Sequence, residues 1–497
     1  MSSRNCVTAT MPCARSTPTG PQWLTLVSAI LASGLFAFVF ATDWAAFAAF
    51  TAVAVTALIV ARRTLLHPYI WYTPPFFLYG AAYPILVWLG DVAPAGPLRA
   101  TLLLEWLALA TFVMVVGPAE ARVPQLRPLA SPSRTVGWLL LGAASVPCFL
   151  LVSSVQSSGL MNSRQIVSNS NLFTTYHWGF SILTFAYLVL LGDAVVRKKR
   201  LWLPAALMAV GFGWGVLSLL IAGQRADIFR VLWVSLLMMH VLSPQFRRGR
   251  VTAIALALLF LVPLGQQLKS SLVAGRGAPS TRQMGAVSEV LHSEFVSASQ
   301  NLSLVIVAWA DTRYYGQTLW WDLLITLQPT FLFPNNRPSS ITTEFNAQLY
   351  REVLANGGGE GFTLVGEGYT NFGPLGVVLW FALIGLFVKR LYLRSARGLL
   401  AVITYVMVTP VLMFATRGDL SNIMSQCTKH VLLPVLLITF ADHLLSRRER
   451  LSGHLEWPGR LPMVPFDTRE PAPLRPFGTP VAGRTKPASA HMFRSQP

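Results

Sequence analysis

Long apolar segments with almost no charged residues follow one another along most of the chain. Most are about 17–20 residues long, close to the length with which a helix crosses ~30 Å of hydrocarbon. A bilayer offers the backbone no hydrogen-bonding partner, so spanning segments of this kind are expected to be helices. The pattern predicts about twelve spans, at residues 23–41, 44–61, 70–89, 97–116, 136–155, 178–196, 201–222, 228–242, 251–268, 372–388, 399–415 and 427–445.

The segments between the predicted spans alternate in charge, and the alternation predicts an orientation. Clusters of Lys and Arg mark every second segment, whereas the short segments between them carry at most one Arg each. The positive-inside rule assigns the basic set to the cytoplasm, which places both termini there. The basic clusters lie at residues 62–63, 122–134, 197–200, 247–250, 389–397 and 447–450.

These features predict an all-α polytopic membrane protein with one long extracytoplasmic loop. Five regions follow: a cytoplasmic N-terminal tail (1–22), nine spans (23–268), the long loop (269–371), three spans (372–445) and a disordered basic cytoplasmic tail (446–497). Within the loop, residues 319–333 include Trp320, Trp321 and a proline. This segment is predicted to be a helix that lies in the membrane interface or re-enters the bundle.

The composition excludes several classes of protein. Only 12% of the residues are charged and 53% are hydrophobic, whereas soluble proteins carry about 25% charged residues. The net charge of +19 does not indicate a nucleic-acid partner, because the basic residues lie beside apolar spans. The four cysteines form neither a metal-binding spacing nor a disulfide framework, and phosphate-loop and nucleophile-elbow motifs are absent. We therefore expect no metal and no cofactor.

Two predicted outer turns contain an Arg followed two residues later by an Asp. Arg225 precedes Asp227, and Arg417 precedes Asp419. Guanidinium groups bind phosphate and diphosphate through paired N–H donors, so the turns predict a shared anionic ligand. The alternative is an Arg that extends to the lipid headgroups and pairs with the neighbouring Asp.

A glycine-rich stretch at residues 366–376 precedes the tenth predicted span and contains Glu367, Tyr369 and Asn371. Close backbone approach or a bound ligand would explain the glycines. The alternative is a helix start with Asn371 as N-cap and Pro374 in the first turn. Two loop cations, Arg313 and Arg337, suit an anionic substrate, although solvated loop charges are the simpler interpretation.

These motifs resemble those of the bacterial O-antigen polymerases of the Wzy type, a family of oligosaccharide repeat-unit polymerases. Residues 366–376 are similar to an E-x-Y-x-N-F-G-x-x-G signature, and residues 223–225 to a G-x-R turn. The span layout is similar as well. The resemblance implies the all-helical fold shared with O-antigen ligases. It also implies transfer of a growing glycan from undecaprenyl diphosphate to a sugar hydroxyl of the incoming lipid-linked unit, at the outer face of the inner (plasma) membrane.

For such a reaction, cations would stabilise the diphosphate leaving group, and a base would take the proton of the acceptor hydroxyl. We expect Arg225 and Arg417, aided by Arg337, to supply the cations and Glu367 to be the base. Tyr369, Asn371 and Arg313 are the other expected substrate-binding residues. The expected product is an O-antigen, capsule or exopolysaccharide. The expected partners are the lipid-linked oligosaccharide, membrane lipids, a chain-length regulator and a flippase.

Three other functions share parts of this pattern. An O-antigen ligase would differ only in its acceptor. A glycosyltransferase that uses a lipid-phosphate sugar would carry an acidic motif in a sizeable first outer loop, but that loop here is only Thr42-Asp43. A transporter of lipid-linked sugars would show repeats and polar groups near mid-membrane, whereas the polar residues here gather at the outer edge.

Overall fold

The computed structural model describes residues 20–61, 64–118, 126, 131–158, 171–197, 202–222, 225–242, 294–311, 313–327, 339–355 and 359–453. Every regular element within these ranges is a helix, which confirms the all-α prediction. The predicted span at 251–268, Arg337 and most of both predicted tails lie outside the described residues. By packing, the chain divides into Met1–Ser446 and Arg447–Pro497, and the description below concerns the first unit.

The described residues of the first half of the chain contain eight helices. They are α1 (Gly20–Phe40), α2 (Asp43–Val60), α3 (Pro68–Trp88), α4 (Leu98–Val116), α5 (Ser131–Ser158), α6 (Asn171–Val196), α7 (Trp202–Ala222) and α8 (Arg225–Leu242). Local chemistry fixes their ends. Thr42 caps α2 by accepting a hydrogen bond from Ala45 N–H, and Gly117 ends α4 with a positive φ of 70°. Pro74, Pro75 and Pro84 lie inside α3, as predicted.

Nine α-helices follow in the described residues from 294 onwards. They are α9 (Glu294–Ala308), α10 (Gln317–Leu327), α11 (Ile341–Leu349), α12 (Arg351–Ala355), α13 (Leu364–Phe372), α14 (Pro374–Arg394), α15 (Leu399–Phe414), α16 (Leu420–Cys427) and α17 (Leu433–Gly453). A 3-10 turn, Ala415–Arg417, separates α15 from α16, and a π-helical turn, Thr428–Leu432, joins α16 to α17.

Seven helices in the described part of the chain are long and apolar enough to cross a membrane. The protein is therefore a polytopic membrane protein. Each predicted span other than 251–268 coincides with a described helix. The total of twelve spans and the cytoplasmic position of both termini stay predictions. The seven helices are Gly20–Phe40, Asp43–Val60, Leu98–Val116, Trp178–Val196, Pro374–Arg397, Leu399–Arg417 and Leu420–Ala441.

A buried aromatic core joins α3 and α4 to the helices from the end of the chain. Trp71 on α3 donates a hydrogen bond from Nε1 to the hydroxyl of Tyr405 on α15, over 2.7 Å. Tyr69 donates from its hydroxyl to the carbonyl of Val113 on α4, and the rings of Tyr72 and Phe112 lie 4.1 Å apart. Because Trp71 Nε1 and the hydroxyls of Tyr69 and Tyr405 find partners, the core can bury them at little cost.

The described part of the predicted long loop is largely helical, and its first helix packs inside the bundle. On α9, Ser299, Asn301, Leu302 and Ser303 are all fully buried. Ser299 donates from its hydroxyl to the carbonyl of Gly80, at the middle of α3, over 3.2 Å. In the sequence, the apolar run of this segment begins only at residue 301. The helix begins earlier and carries polar residues on the side that faces the bundle.

Candidate functional site

The glycine-rich stretch forms a tight pair of helices, α13 and α14, joined at Gly373. Thr363 caps α13 by accepting a hydrogen bond from Gly366 N–H over 2.7 Å. Gly373 has φ 63°, a left-handed conformation that glycine adopts without steric cost, and Pro374 follows it at the start of α14. The sequence therefore predicted the position of Pro374 correctly. The alternative in which Asn371 is the N-cap was wrong, because Gly373 occupies that position.

The backbones of α13 and α14 touch at two glycines. A Cβ built on Gly376 would lie 1.9 Å from the carbonyl oxygen of Gly368, and one on Gly368 would lie 2.9 Å from Val377 Cα. No side chain fits at either position, since real Cβ contacts begin near 3.4 Å. Close backbone approach, one of the two predicted reasons for these glycines, is confirmed by this contact.

Asn371 fastens the segment before α10 to α13. Its Oδ1 accepts a hydrogen bond from Gly316 N–H over 2.9 Å. Its Nδ2 donates to Thr318 Oγ1 over 2.7 Å and to the carbonyl of Glu367 over 2.8 Å. The amide oxygen and both amide hydrogens therefore form hydrogen bonds within the protein, and the side chain is fully buried. Asn371 thus holds the loop in place, and direct contact with a sugar stays a prediction.

Arg313 and Tyr369 meet on the neighbouring surface. The guanidinium carbon of Arg313 lies 4.9 Å from the centroid of the Tyr369 ring, and Nη1 donates to the carbonyl of Trp309 over 3.3 Å. An arginine over a tyrosine face is attracted by the ring quadrupole. Both side chains are half-buried. The two predicted substrate-binding residues are therefore neighbours.

Glu367 ties α13 to the turn that carries Arg417. Its Oε2 accepts a hydrogen bond from Leu420 N–H over 2.6 Å, and its Oε1 accepts one from Thr318 Oγ1 over 3.0 Å. Asp419 in the same turn caps α16 through Asn422 N–H and accepts from Thr342 Oγ1 over 2.6 Å. The Arg417 turn is therefore held from two sides by residues of the predicted outer loop.

Three carboxyl groups meet beneath this turn. Burial raises the pKa of Glu367 well above its ordinary value, and the charges of Asp322 and Asp419 raise that pKa further. Burial and the charge of Asp419 raise the pKa of Asp322 to about 7, although Glu367 and the backbone of Ser421 offset part of the rise. Like charges this close disfavour full ionisation, so the cluster holds at least one proton over much of the neutral range.

Arg225 begins α8, whose N-terminal half packs against the C-terminal end of α15. The rings of Phe229 and Phe414 lie 5.8 Å apart, and Trp233 Nε1 donates to Thr409 Oγ1 over 2.9 Å. Phe229 is one helical turn after Arg225, and Phe414 is three residues before Arg417. The two Arg-containing segments thus lie at the same end of the bundle. The Arg225 side chain and residues 223–224 lie outside the described part of the chain.

A separate network of buried polar side chains lies between α6, α8 and the π-helical turn. Arg230 Nη1 lies 3.3 Å from Asp227 Oδ1 and 3.3 Å from His430 Nδ1, and Nη2 donates to Gln426 Oε1 over 3.4 Å. Ser181 is hydrogen-bonded to the same His430 nitrogen. Asp227 thus pairs with Arg230, and the pairing with Arg225, which the sequence suggested as one alternative, stays a prediction because the Arg225 side chain lies outside the described residues.

The structure brings together five predicted residues that span more than a hundred positions of the sequence: Arg313, Glu367, Tyr369, Asn371 and Arg417. Arg337 lies outside the described residues. The sequence analysis gave Asp322 and Arg230 no role. Each is a charge inside an otherwise apolar helical segment, and that signal could have identified both.

Within the described residues, no group of three or more His, Cys, Asp or Glu side chains is arranged to hold a metal ion. The family model described as O-antigen polysaccharide polymerase Wzy matches residues 127–449, which is more than half of the chain. Comparisons with curated proteins and with solved structures give no match.

Proposed function

The chain belongs to the family of O-antigen polysaccharide polymerases of the Wzy type, and from this premise we propose that it joins undecaprenyl-diphosphate-linked oligosaccharides at the outer face of the inner membrane. Membership of the family makes it a multi-pass membrane enzyme that polymerises lipid-linked repeat units. The identity of the lipid, the outer orientation and the residues that act are our proposals. We further propose that a chain-length regulator and a flippase are its partners.

One observation carries the proposal. The Arg417 turn, the Glu367 helix and the Arg313–Tyr369 pair lie against one another, although they come from three separate parts of the sequence. The segment that begins with Arg225 lies at the same end of the bundle. A diphosphate needs several cationic donors at once, and sugars need aromatic faces and amide or hydroxyl groups beside them.

The proposed reaction breaks the bond between the anomeric carbon of the growing chain and its lipid diphosphate. The bonding electrons leave with the diphosphate, which the guanidinium groups of Arg417 and Arg225 stabilise. The hydroxyl oxygen of the incoming unit forms the new bond to that carbon, and its proton passes to a base. The donor is already activated by its leaving group, and the cations are arginines, so we propose that the enzyme is independent of metal ions.

Glu367 is the proposed base, and its surroundings set a condition on that role. The carboxyl is fully buried, and both oxygens accept hydrogen bonds from the protein. To act as a base, Glu367 must exchange the Thr318 contact for the acceptor hydroxyl. Glu367→Gln keeps an oxygen for Leu420 N–H and cannot take a proton. We therefore expect this variant to remain folded and to lose polymerisation by at least about a hundredfold, the usual contribution of a general base.

The function is tested by deleting the gene and complementing it with Arg225→Ala or Arg417→Ala, followed by sizing of the surface glycan. We expect single lipid-linked repeat units to accumulate. Intact polymer that fails to reach its final carrier would instead indicate a ligase, and units retained on the cytoplasmic side would indicate a transporter. Full-length polymer from both variants would contradict the proposed arginine site.

Arg390→Ala is the matched control. Arg390 is an exposed residue near the far end of α14. It lies 16 residues along that helix from Pro374, or about 24 Å from the site at 1.5 Å per residue. We expect this variant to make full-length polymer. Membrane levels of all variants are compared so that loss of the protein is not mistaken for loss of activity.

A further inference from the structure

Asp322 is fully buried on α10, and the backbone of Ser421 offsets only part of the cost; among the described residues, no N–H or O–H donor forms a hydrogen bond of ordinary geometry with either carboxylate oxygen. A buried, ionised carboxylate in that condition would be costly, since it would lose its water without compensation. One proton held between Asp322 and a neighbouring carboxyl group would supply the missing hydrogen bond and remove this cost. The carboxyl of Glu367 lies within hydrogen-bonding reach.

The geometry of α10 directs Asp322 towards Glu367. Thr318 and Asp322 are four residues apart and therefore lie on the same face of α10. Thr318 donates to Glu367 Oε1, so Asp322 lies one turn further along beside the same carboxyl. The other oxygen of Glu367 accepts from Leu420 N–H, three residues after Arg417. A line of contacts therefore runs from α10 through Glu367 to the Arg417 turn.

We propose that Asp322 is a positioning residue: it shares one proton with Glu367 and so holds the Glu367 carboxyl against the Arg417 turn. The proposal rests on the proposed function in one respect, namely that the Arg417 turn binds the diphosphate of the substrate. If the shared proton is lost, two buried carboxylates face each other beside Asp419. Their repulsion would push α10 away from α13 and loosen the hydrogen bond to Leu420.

The charged and titratable groups around Asp322 decide the direction of the pH effect. α13 contributes Glu367, the turn before α16 contributes Asp419 and Arg417, and α16 itself carries no charged side chain. Burial and then the charge of Asp419 raise the pKa of Asp322 to about 7, above its ordinary value near 4, and the contact with Glu367 offsets part of the rise. The shared-proton contact between Asp322 and Glu367 is therefore complete at low pH. Its contribution to the stability of this segment is lost as the pH rises towards and through about 7.

Hydrogen exchange at the backbone of residues 417–423, measured on the purified protein without substrate, tests the proposal. We expect protection of this segment, corrected for intrinsic exchange, to fall by up to about tenfold per pH unit between about pH 4 and pH 7 and to level off above about pH 7. In Asp322→Asn the amide N–H donates to Glu367 without titrating, so protection should no longer depend on pH. Asp311→Asn, which removes an exposed acid between α9 and α10, should behave as the wild type does.

Two results would overturn the proposal: a pH-independent wild type, or an Asp322→Asn protein that keeps the wild-type pH dependence. If Asp322→Asn does not fold, Glu367→Gln takes its place, because its amide supplies the same donor from the other side. Protection in that variant should also be independent of pH, and a wild-type profile would again refute the idea. The measurement uses no glycan, so a failed polymerisation assay bears on the proposed function alone.

Discussion

The close backbone contact between α13 and α14 predicts a clear loss of stability when a single methyl group is added at Gly376. In Gly376→Ala the new Cβ would lie 1.9 Å from the carbonyl oxygen of Gly368, where ordinary contact begins at 3.4 Å. The helices must therefore separate by about 1.5 Å, because both contacting groups are backbone. Glu367 is adjacent to Gly368, and the same displacement would lengthen its 2.6 Å hydrogen bond to Leu420 beyond the range of a hydrogen bond.

We expect Gly376→Ala to cost about 1–3 kcal/mol of stability, the usual range for overpacking. This outweighs the gain of up to ~1 kcal/mol that alanine brings to a helix interior. We also expect shortened or absent polymer, since the Arg417 turn loses a support. Thermal unfolding of the purified protein and sizing of the glycan measure the two effects.

Gly142→Ala on α5 is the matched control. A Cβ at Gly142 meets nothing within 4 Å, so we expect unchanged or slightly raised stability and full-length polymer. The reasoning would be refuted if Gly376→Ala had the unfolding midpoint and polymer length of the wild type. It would also be refuted if both variants lost the same amount of stability.

Other contacts give further expectations. Asn371→Ala removes three hydrogen bonds and leaves buried partners unpaired, so the thermal midpoint should fall, by an amount equivalent to ~1–3 kcal/mol; an unchanged midpoint would contradict this. Arg230→Met removes the buried cation that lies 3.3 Å from Asp227 and should cost ~3–5 kcal/mol, with part recovered when Asp227→Asn is added. A double-mutant cycle on Arg313→Ala and Tyr369→Ala should give a coupling of ~0.5–1 kcal/mol, and Tyr369→Phe should retain it because the ring remains. Additive losses would mean that the ring contact has no energetic effect.

The sequence predicted the parts of the fold that depend on local pattern. Apolar runs located the helices, and glycine spacing at Gly368 and Gly376 indicated a close backbone approach. Pairings between distant segments could not be predicted in this way. The hydrogen bond from Leu420 N–H to Glu367 joins residues 53 positions apart. The sequence also suggested a capping role for Asn371, because an Asn before a helix is locally typical of an N-cap. Its actual partners come from the segment before α10 and from Glu367, and Gly373 takes the cap.

The orientation of α10 explains how carboxyl groups come to be buried at this site. Its apolar residues Leu319, Trp320 and Leu324 are exposed, whereas Thr318 and Asp322 face inward. In water this arrangement would be unfavourable, but it suits a helix whose outer side meets lipid at the interface. This supports the predicted interfacial helix. A helix so placed would exclude water from the Glu367 cluster and the Arg417 turn beneath it. In a region with less water, each guanidinium stabilises a departing diphosphate more strongly. The exclusion of water also makes a buried carboxylate costly unless it shares a proton with a neighbouring carboxyl. The strength of the arginine site and the shared proton between Asp322 and Glu367 therefore have the same physical cause.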